Sequence, residues 1–141
     1  MYHLCREMSK QIFINLAVSD LQKSADFYTA LGFTMNPQFS DDTAKCMVWS
    51  EHIYVMLLNH EKFQSFTDKP IADTKNNVAG LFSLSLGSNQ EVDTTIQNGL
   101  NAGGIEPNEP RDLGFMYQRT IEDFDGHTWE VFFMDLSQFP G

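Results

Sequence analysis

Cysteine, basic side chains and long apolar runs are all scarce in this chain. Only Cys5 and Cys46 occur among 141 residues, with no CxxC pair. That usage builds no disulfide framework and suits a reducing cytoplasm. Lys and Arg total 9 against 19 Asp and Glu, a net charge of −10. The summed field repels phosphate backbones and anionic lipid, so neither nucleic acid nor a membrane surface is an expected partner. No apolar stretch approaches the ~18 residues of a membrane span, and Met1-Tyr2-His3-Leu4-Cys5 lacks the charged and apolar regions of a secretory signal. What is abundant is core material. The chain is 42% hydrophobic and 13% aromatic, with 12 Phe. A chain of this length is expected to fold as one unit that buries roughly 68% of the surface its unfolded form exposes.

The periodicity divides the chain into two similar halves. Ile12, Ile14, Leu16 and Val18 alternate with Phe13, Asn15 and Ala17, the period-2 pattern of a strand with one strongly apolar face. Ser19 and Gln22 then have capping-box spacing, and Leu21, Ala25, Tyr28 and Leu31 recur at helical intervals until Gly32. Three short strand-like runs follow at Phe33–Phe39, Ala44–Trp49 and Ile53–Leu58, and a short helix is expected over His60–Phe66. The pattern then repeats. Leu81–Leu86 reads as a strand, Ser88 and Glu91 repeat the capping box 69 residues after the first, and a helix runs to Gly103-Gly104. Further strands are expected at Ile105–Asn108, Phe115–Ile121 and His127–Met134, with Asp125-Gly126 as a hairpin signal.

The expected organisation is therefore an extension (1–10, of which 1–7 precede an apparent start at Met8), a first βαβββ module (11–66), a linker (67–78), a second βαβββ module (79–136) and a short tail (137–141) within one structural domain. The fold class is α+β, with two tandem modules forming a curled mixed sheet around a cleft. A cleft of this kind is the default ligand site.

Alternation also predicts which side chains reach the cleft. If the more apolar face of each strand packs on its helix, the cleft receives Phe13, Asn15 and Ala17, then Tyr54, Met56 and Leu58 from the first half. The second half contributes Leu81, Ser83 and Ser85, then Thr128, Glu130 and Phe132. Glu130 stands out because it interrupts Trp129-Glu130-Val131-Phe132-Phe133, where an unpaired carboxylate is costly to bury. It is either a half-exposed strand residue with a local partner or a functional group.

Two segments carry a family resemblance. Val18-Ser19-Asp20-Leu21-Gln22-Lys23-Ser24-Ala25-Asp26-Phe27-Tyr28 with Leu31-Gly32-Phe33, and Asp123-Phe124-Asp125-Gly126-His127-Thr128-Trp129-Glu130, resemble the hallmark segments of the vicinal oxygen chelate superfamily. That group includes glyoxalase I, bleomycin-resistance proteins and extradiol dioxygenases. Gly114-Phe115-Met116-Tyr117-Gln118-Arg119 is similar to the branch described as glyoxalase-related or lactoylglutathione-lyase-like. The resemblance implies a homodimer and a divalent metal held by His, Gln or Glu at four strand positions. The matching positions here are Phe13, Met56, Leu81 and Glu130. Only Glu130 is a ligand-type residue, so no cofactor is expected and the metal site is degenerate. Neutral groups at Asn15 and Ser83 are poor replacements. His127 and Glu130, three apart on a strand, face opposite sides and cannot share an ion.

The resulting expectation is a protein that binds a small molecule, cationic or aromatic, in the cleft between modules. The lining would be Phe13, Asn15, Trp49, Tyr54, Met56, Ser83, Met116, Tyr117 and Phe132. For any metal-free chemistry, Glu130 would serve as a base, its pKa raised by Phe13, Phe132 and Met56, with Arg119, Tyr54 or Tyr117 stabilising negative charge. Arg119 could instead simply pair with Glu130, Glu122 or Asp123. The alternative function is a metal-dependent lyase or dioxygenase using Glu130 and a divalent ion. A third is an interaction module with a filled cleft.

Overall fold

The computed structural model describes residues 10–139. The expectations for residues 1–7 and for Cys5 lie outside them. Strand β1, Ile12–Ala17, gives way to helix α1, Leu21–Leu31, whose N-cap is Asp20, its side chain accepting the Lys23 N–H at 3.1 Å. Ser19 does not cap the helix as expected. Its N–H instead donates to Asp125 Oδ1 at 3.1 Å, a contact with the second half of the chain. Ser88 does cap the equivalent helix, accepting from the Glu91 N–H. The true caps, Asp20 and Ser88, are 68 residues apart, as are Phe13 and Leu81.

After α1 come β2 (Thr34–Asn36), a single 3-10 turn at Pro37–Phe39, β3 (Ala44–Ser50), β4 (Ile53–Leu58) and the short helix α2 (His60–Gln64). Pro37 has no N–H to give a ladder, which ends β2 before the expected Phe39. The second module comprises β5 (Leu81–Ser85), α3 (Asn89–Asn101), β6 (Arg111–Asp112), β7 (Met116–Glu122) and β8 (Thr128–Met134), followed by a 3-10 turn at Leu136–Gln138. The strand expected at Ile105–Asn108 does not form. Ile105 makes one isolated bridge to Glu122, and the fourth strand lies later, at β6, paired with Gln118 and Tyr117 of β7. Pro107 and Pro110 flank the residues between and interrupt any longer ladder.

The strands form two four-stranded mixed sheets: sheet 1 in the order β1-β4-β3-β2 and sheet 2 in the order β5-β8-β7-β6. In each, the first and last strands of the module run parallel and the remaining pairs are antiparallel. This is the expected α+β architecture of two βαβββ modules.

One core serves both modules. Leu16, Val55 and Leu57 from sheet 1 join Leu84, Ile121, Trp129 and Val131 from sheet 2 in a single cluster with Phe27, Tyr28, Val92 and Ile96 from the helices. Trp129 packs edge-on against Tyr28 and Phe33, with ring centroids 5.7 and 5.8 Å away. The helices approach closely where α3 carries Gly99, since a Cβ there would lie 2.8 Å from Leu31 Cδ2 of α1. The helix-bearing faces of both sheets therefore look into the shared core. Sheet 2 also meets the edge of β1, where His127 lies against the Ala17 carbonyl. Consequently each open face lies on the far side of its sheet from this core, and the mixed strands are bonded as two four-stranded sheets. Among the described residues, no helix is long and apolar enough to cross a membrane.

Candidate functional site

The Asp123-Phe124-Asp125-Gly126-His127 turn is the most tightly bonded segment between the modules. Asp123, 2% exposed, accepts the N–H groups of Asp125 and His127 on Oδ1, both at 2.9 Å, and the Tyr28 hydroxyl on Oδ2 at 2.6 Å. Burial raises its carboxyl above the usual aspartate range despite these bonds, and burial together with Asp123 lifts the Tyr28 phenol well above its ordinary value. Gly126 has φ +84°, and a Cβ there would collide with the Thr74 carbonyl, so the turn needs glycine for both backbone angle and space. These residues hold the hairpin, the linker and β1 together.

Eleven side chains expected at the site separate into three groups. Phe13, Asn15, Tyr54 and Met56 lie on the open face of sheet 1, where Phe13 opposes Tyr54 and Asn15 opposes Met56. The Phe13 and Tyr54 rings stack with centroids 4.4 Å apart and planes 8° from parallel. Tyr54 spends its hydroxyl on the Glu51 carbonyl at 2.8 Å.

Ser83, Met116, Glu130 and Phe132 lie on the open face of sheet 2. Glu130 is half-buried between Ser83 of β5 and Thr120 of β7, and its Oε1 accepts the Ser83 hydroxyl at 2.9 Å. This carboxylate thus has hydroxyl neighbours across the strands rather than the Phe13 and Met56 surroundings expected for a base, because those two belong to the other sheet.

Trp49, Tyr117 and Arg119 are on neither open face. Trp49 packs on Phe33 against the core. Arg119 pairs with Val131 and Tyr117 with Phe133, on the helix-bearing side of sheet 2. Arg119 grips Glu106 through Nε and Nη2, both at 2.8 Å, and reaches Asp93 of α3 at 3.0 Å. Tyr117 donates to the same Asp93 carboxylate. Hydrogen bonds from Tyr117 and Arg119 hold Asp93 below its usual range, and the pairing with Glu106 keeps the guanidinium more firmly protonated than usual. Arg119 is therefore not an electrophile for Glu130, and its partners are not Glu130, Glu122 or Asp123. The sequence pattern does not single out Asp93 or Glu106, since one lies on the second module's helix and the other in the run read as a strand at Ile105–Asn108.

The residues matching 10–48 fit a family model described as bleomycin resistance protein-like N-terminal. No curated protein matches the chain. Among solved structures, a hypothetical protein from S. aureus is 29% identical over 92% of this chain and 98% of its own, with a TM-score of 0.75. A glyoxalase/bleomycin resistance protein/dioxygenase family enzyme from Burkholderia phytofirmans superposes with a TM-score of 0.75 at 13% identity, over 89% of this chain and 99% of that one. The fold is the one seen in glyoxalase/bleomycin resistance/dioxygenase proteins of the vicinal oxygen chelate superfamily. A genomically encoded fosfomycin resistance protein from Listeria monocytogenes shares the fold at 20% identity and a TM-score of 0.65, covering 92% of this chain and 97% of its own.

The superfamily's metal can be tested against the residues here. Its four strand positions carry Phe13 and Met56 on sheet 1, Leu81 and Glu130 on sheet 2. A carbon ring, an isobutyl group and a thioether leave one hard donor, which Ser83 already engages. Transition-metal sites of the expected type need three or more protein ligands, so these residues do not fit the ion. Among the described residues no group of three His, Cys, Asp or Glu is placed to hold a metal.

Proposed function

We propose that this protein binds a small molecule, without a resident metal, between the open face of sheet 1 in one protomer and the open face of sheet 2 in a second. The observation that carries the reading is the composition of those faces. Stacked Phe13 and Tyr54 offer a flat apolar platform, while Glu130 offers the single charge at the four superfamily positions. A planar, cationic ligand satisfies both, and the net charge of −10 favours its approach. Within one chain the platform and the carboxylate are on different sheets, each on the side away from the shared core, and a second copy completes the cleft. The metal-dependent lyase or dioxygenase reading has less support, because three of its four ligand positions are apolar.

Calorimetric titration with 9-aminoacridinium and with anthracene-9-carboxylate tests the proposal directly. Saturable binding of the cation, weakened in both Tyr54→Ala and Glu130→Gln, is the expected result. Metal content is measured alongside, on protein purified without chelator and assayed with methylglyoxal-glutathione hemithioacetal and with catechol in the presence of Ni, Zn, Mn or Fe(II). Stoichiometric metal with turnover that disappears in Glu130→Gln would overturn the reading, as would equal affinity for the two ring compounds.

A further inference from the structure

A cavity of about 400 Å³ lies where the two modules meet, separate from the platform and from Glu130. Its wall draws on Phe63 of α2, Ile71 and Thr74 of the linker, Phe82 of β5 and His127 of the hairpin. The only part of an open face that reaches it is the Asn15–Ala17 end of β1. Most of this wall is apolar, which makes the polar groups in it informative.

His127 is 8% exposed, and its Nε2 lies 2.7 Å from the Ala17 carbonyl oxygen. A carbonyl only accepts, so Nε2 carries the proton that it donates there, which leaves Nδ1 facing the cavity wall. No described residue hydrogen-bonds that nitrogen. Asp125, 7% exposed and in the same wall, accepts the Ser19 N–H on Oδ1 while its buried Oδ2 has no partner among the described residues. One buried acceptor of the turn, Asp125 Oδ2, is thus unfilled, two residues from His127 Nδ1. Native proteins leave few buried polar groups in that state unless water or a ligand supplies the missing partner. The charged groups nearest the mouth do not fill this acceptor. Lys75 makes no ion pair among the described residues, and the Asp73 carboxylate is occupied by the Lys75 N–H and the Asn76 amide.

We infer that this junction cavity is a second binding site, for a neutral aromatic compound of one or two rings that carries a hydroxyl or amino donor. The ring packs on Phe63 and Phe82, and the donor is directed to the His127 and Asp125 wall. The volume is at the low end of small-molecule sites, which sets the ring count. This inference is independent of the cleft between protomers, since it uses none of the residues invoked there.

The test is a titration of the ¹⁵N-labelled full chain with phenol and, in parallel, with fluorobenzene, which has the ring but no donor. Phenol is expected to shift the amides of Thr74, Gly80, Gly126 and His127 saturably, with roughly tenfold tighter binding than fluorobenzene. Ala79→Trp and Ile71→Trp fill the cavity from different sides of the linker and are each expected to abolish the shifts, while the amides of Phe13 and Glu130 stay in place. The inference is overturned by shifts confined to the open faces, by an equal response to both compounds, by an undiminished response in both Trp variants, or by no saturable shift at all.

Discussion

Tyr28 donates its hydroxyl to Asp123 Oδ2 at 2.6 Å, and the Trp129 indole N–H donates to the same Tyr28 oxygen at 3.0 Å. One phenol thereby joins the first helix to the last hairpin across both modules, with all three residues buried. Tyr28→Phe keeps the ring and removes two bonds, leaving a buried carboxylate oxygen and a buried indole N–H unpaired. A loss of about 2–3 kcal/mol in unfolding free energy is expected, read from urea titrations. A loss below about 0.5 kcal/mol would show that water fills the gap and that the phenol is not a tie.

The same carboxylate gives stability an unusual pH dependence. Burial raises the Asp123 pKa in the fold, so in the window between the unfolded aspartate value and this raised one the native state holds more protons than the unfolded chain. Stability contributed at this site therefore falls as pH rises through that window. Asp41, Asp73 and Asp135 have the opposite sign, because hydrogen bonds depress their values and their contribution is lost on acidification. Comparison with Asp123→Asn isolates the one from the others. The stability advantage of the native protein over this variant is expected to shrink from pH 4 to pH 7. An advantage that grows over the same range would mean that the three hydrogen bonds outweigh burial.

Arg119 provides the corresponding tie between sheet 2 and α3. Its side chain is 16% exposed and bonds two carboxylates, Glu106 in a two-point grip and Asp93 with one contact. Arg119→Met removes the charge but keeps much of the stem, leaving Glu106, itself 18% exposed at the side chain, without its partner. About 2 kcal/mol of stability should be lost, with no change in ligand affinity at the open faces. A reduced affinity at unchanged stability would instead return Arg119 to the binding machinery.

The contrast between Arg119 and Glu130 marks what periodicity could and could not reveal. Strand alternation assigns Glu130, Ser83 and Phe13 to open faces because each stands between two more apolar or bulkier neighbours, Trp129 and Val131, Phe82 and Leu84, Ile12 and Ile14. The same rule applied to β7 places Arg119 with Ile121, two residues on and fully buried, and hence away from Glu130. Its guanidinium chemistry points toward Glu130, but the alternation places it on the other face. Other features left no local trace. The cap is Asp20 rather than Ser19, whose N–H donates to Asp125, 106 residues away in the chain. A two-residue strand such as β6 is too short for any period to register. The direction in which each open face points follows from how α1 and α3 pack at Gly99, a tertiary choice that neither module encodes alone.

That choice leads to the last prediction, which concerns association. On the outward faces Phe13, stacked on Tyr54, is still 50% exposed, and Leu81 is 58% exposed. If sheet 1 of one protomer meets sheet 2 of another, both become buried and an aspartate at either place must be desolvated without a partner. The native protein should sediment at twice 16.1 kDa at micromolar concentration, and Phe13→Asp and Leu81→Asp should each weaken the dimer at least roughly a hundredfold. Because these sites are exposed in the single chain, the monomers should keep their stability to within about 0.5 kcal/mol, which separates a lost interface from a lost fold. Sedimentation of the native protein at 16.1 kDa across that range would mean that the open faces are not paired, and the cleft proposed between protomers would go with them.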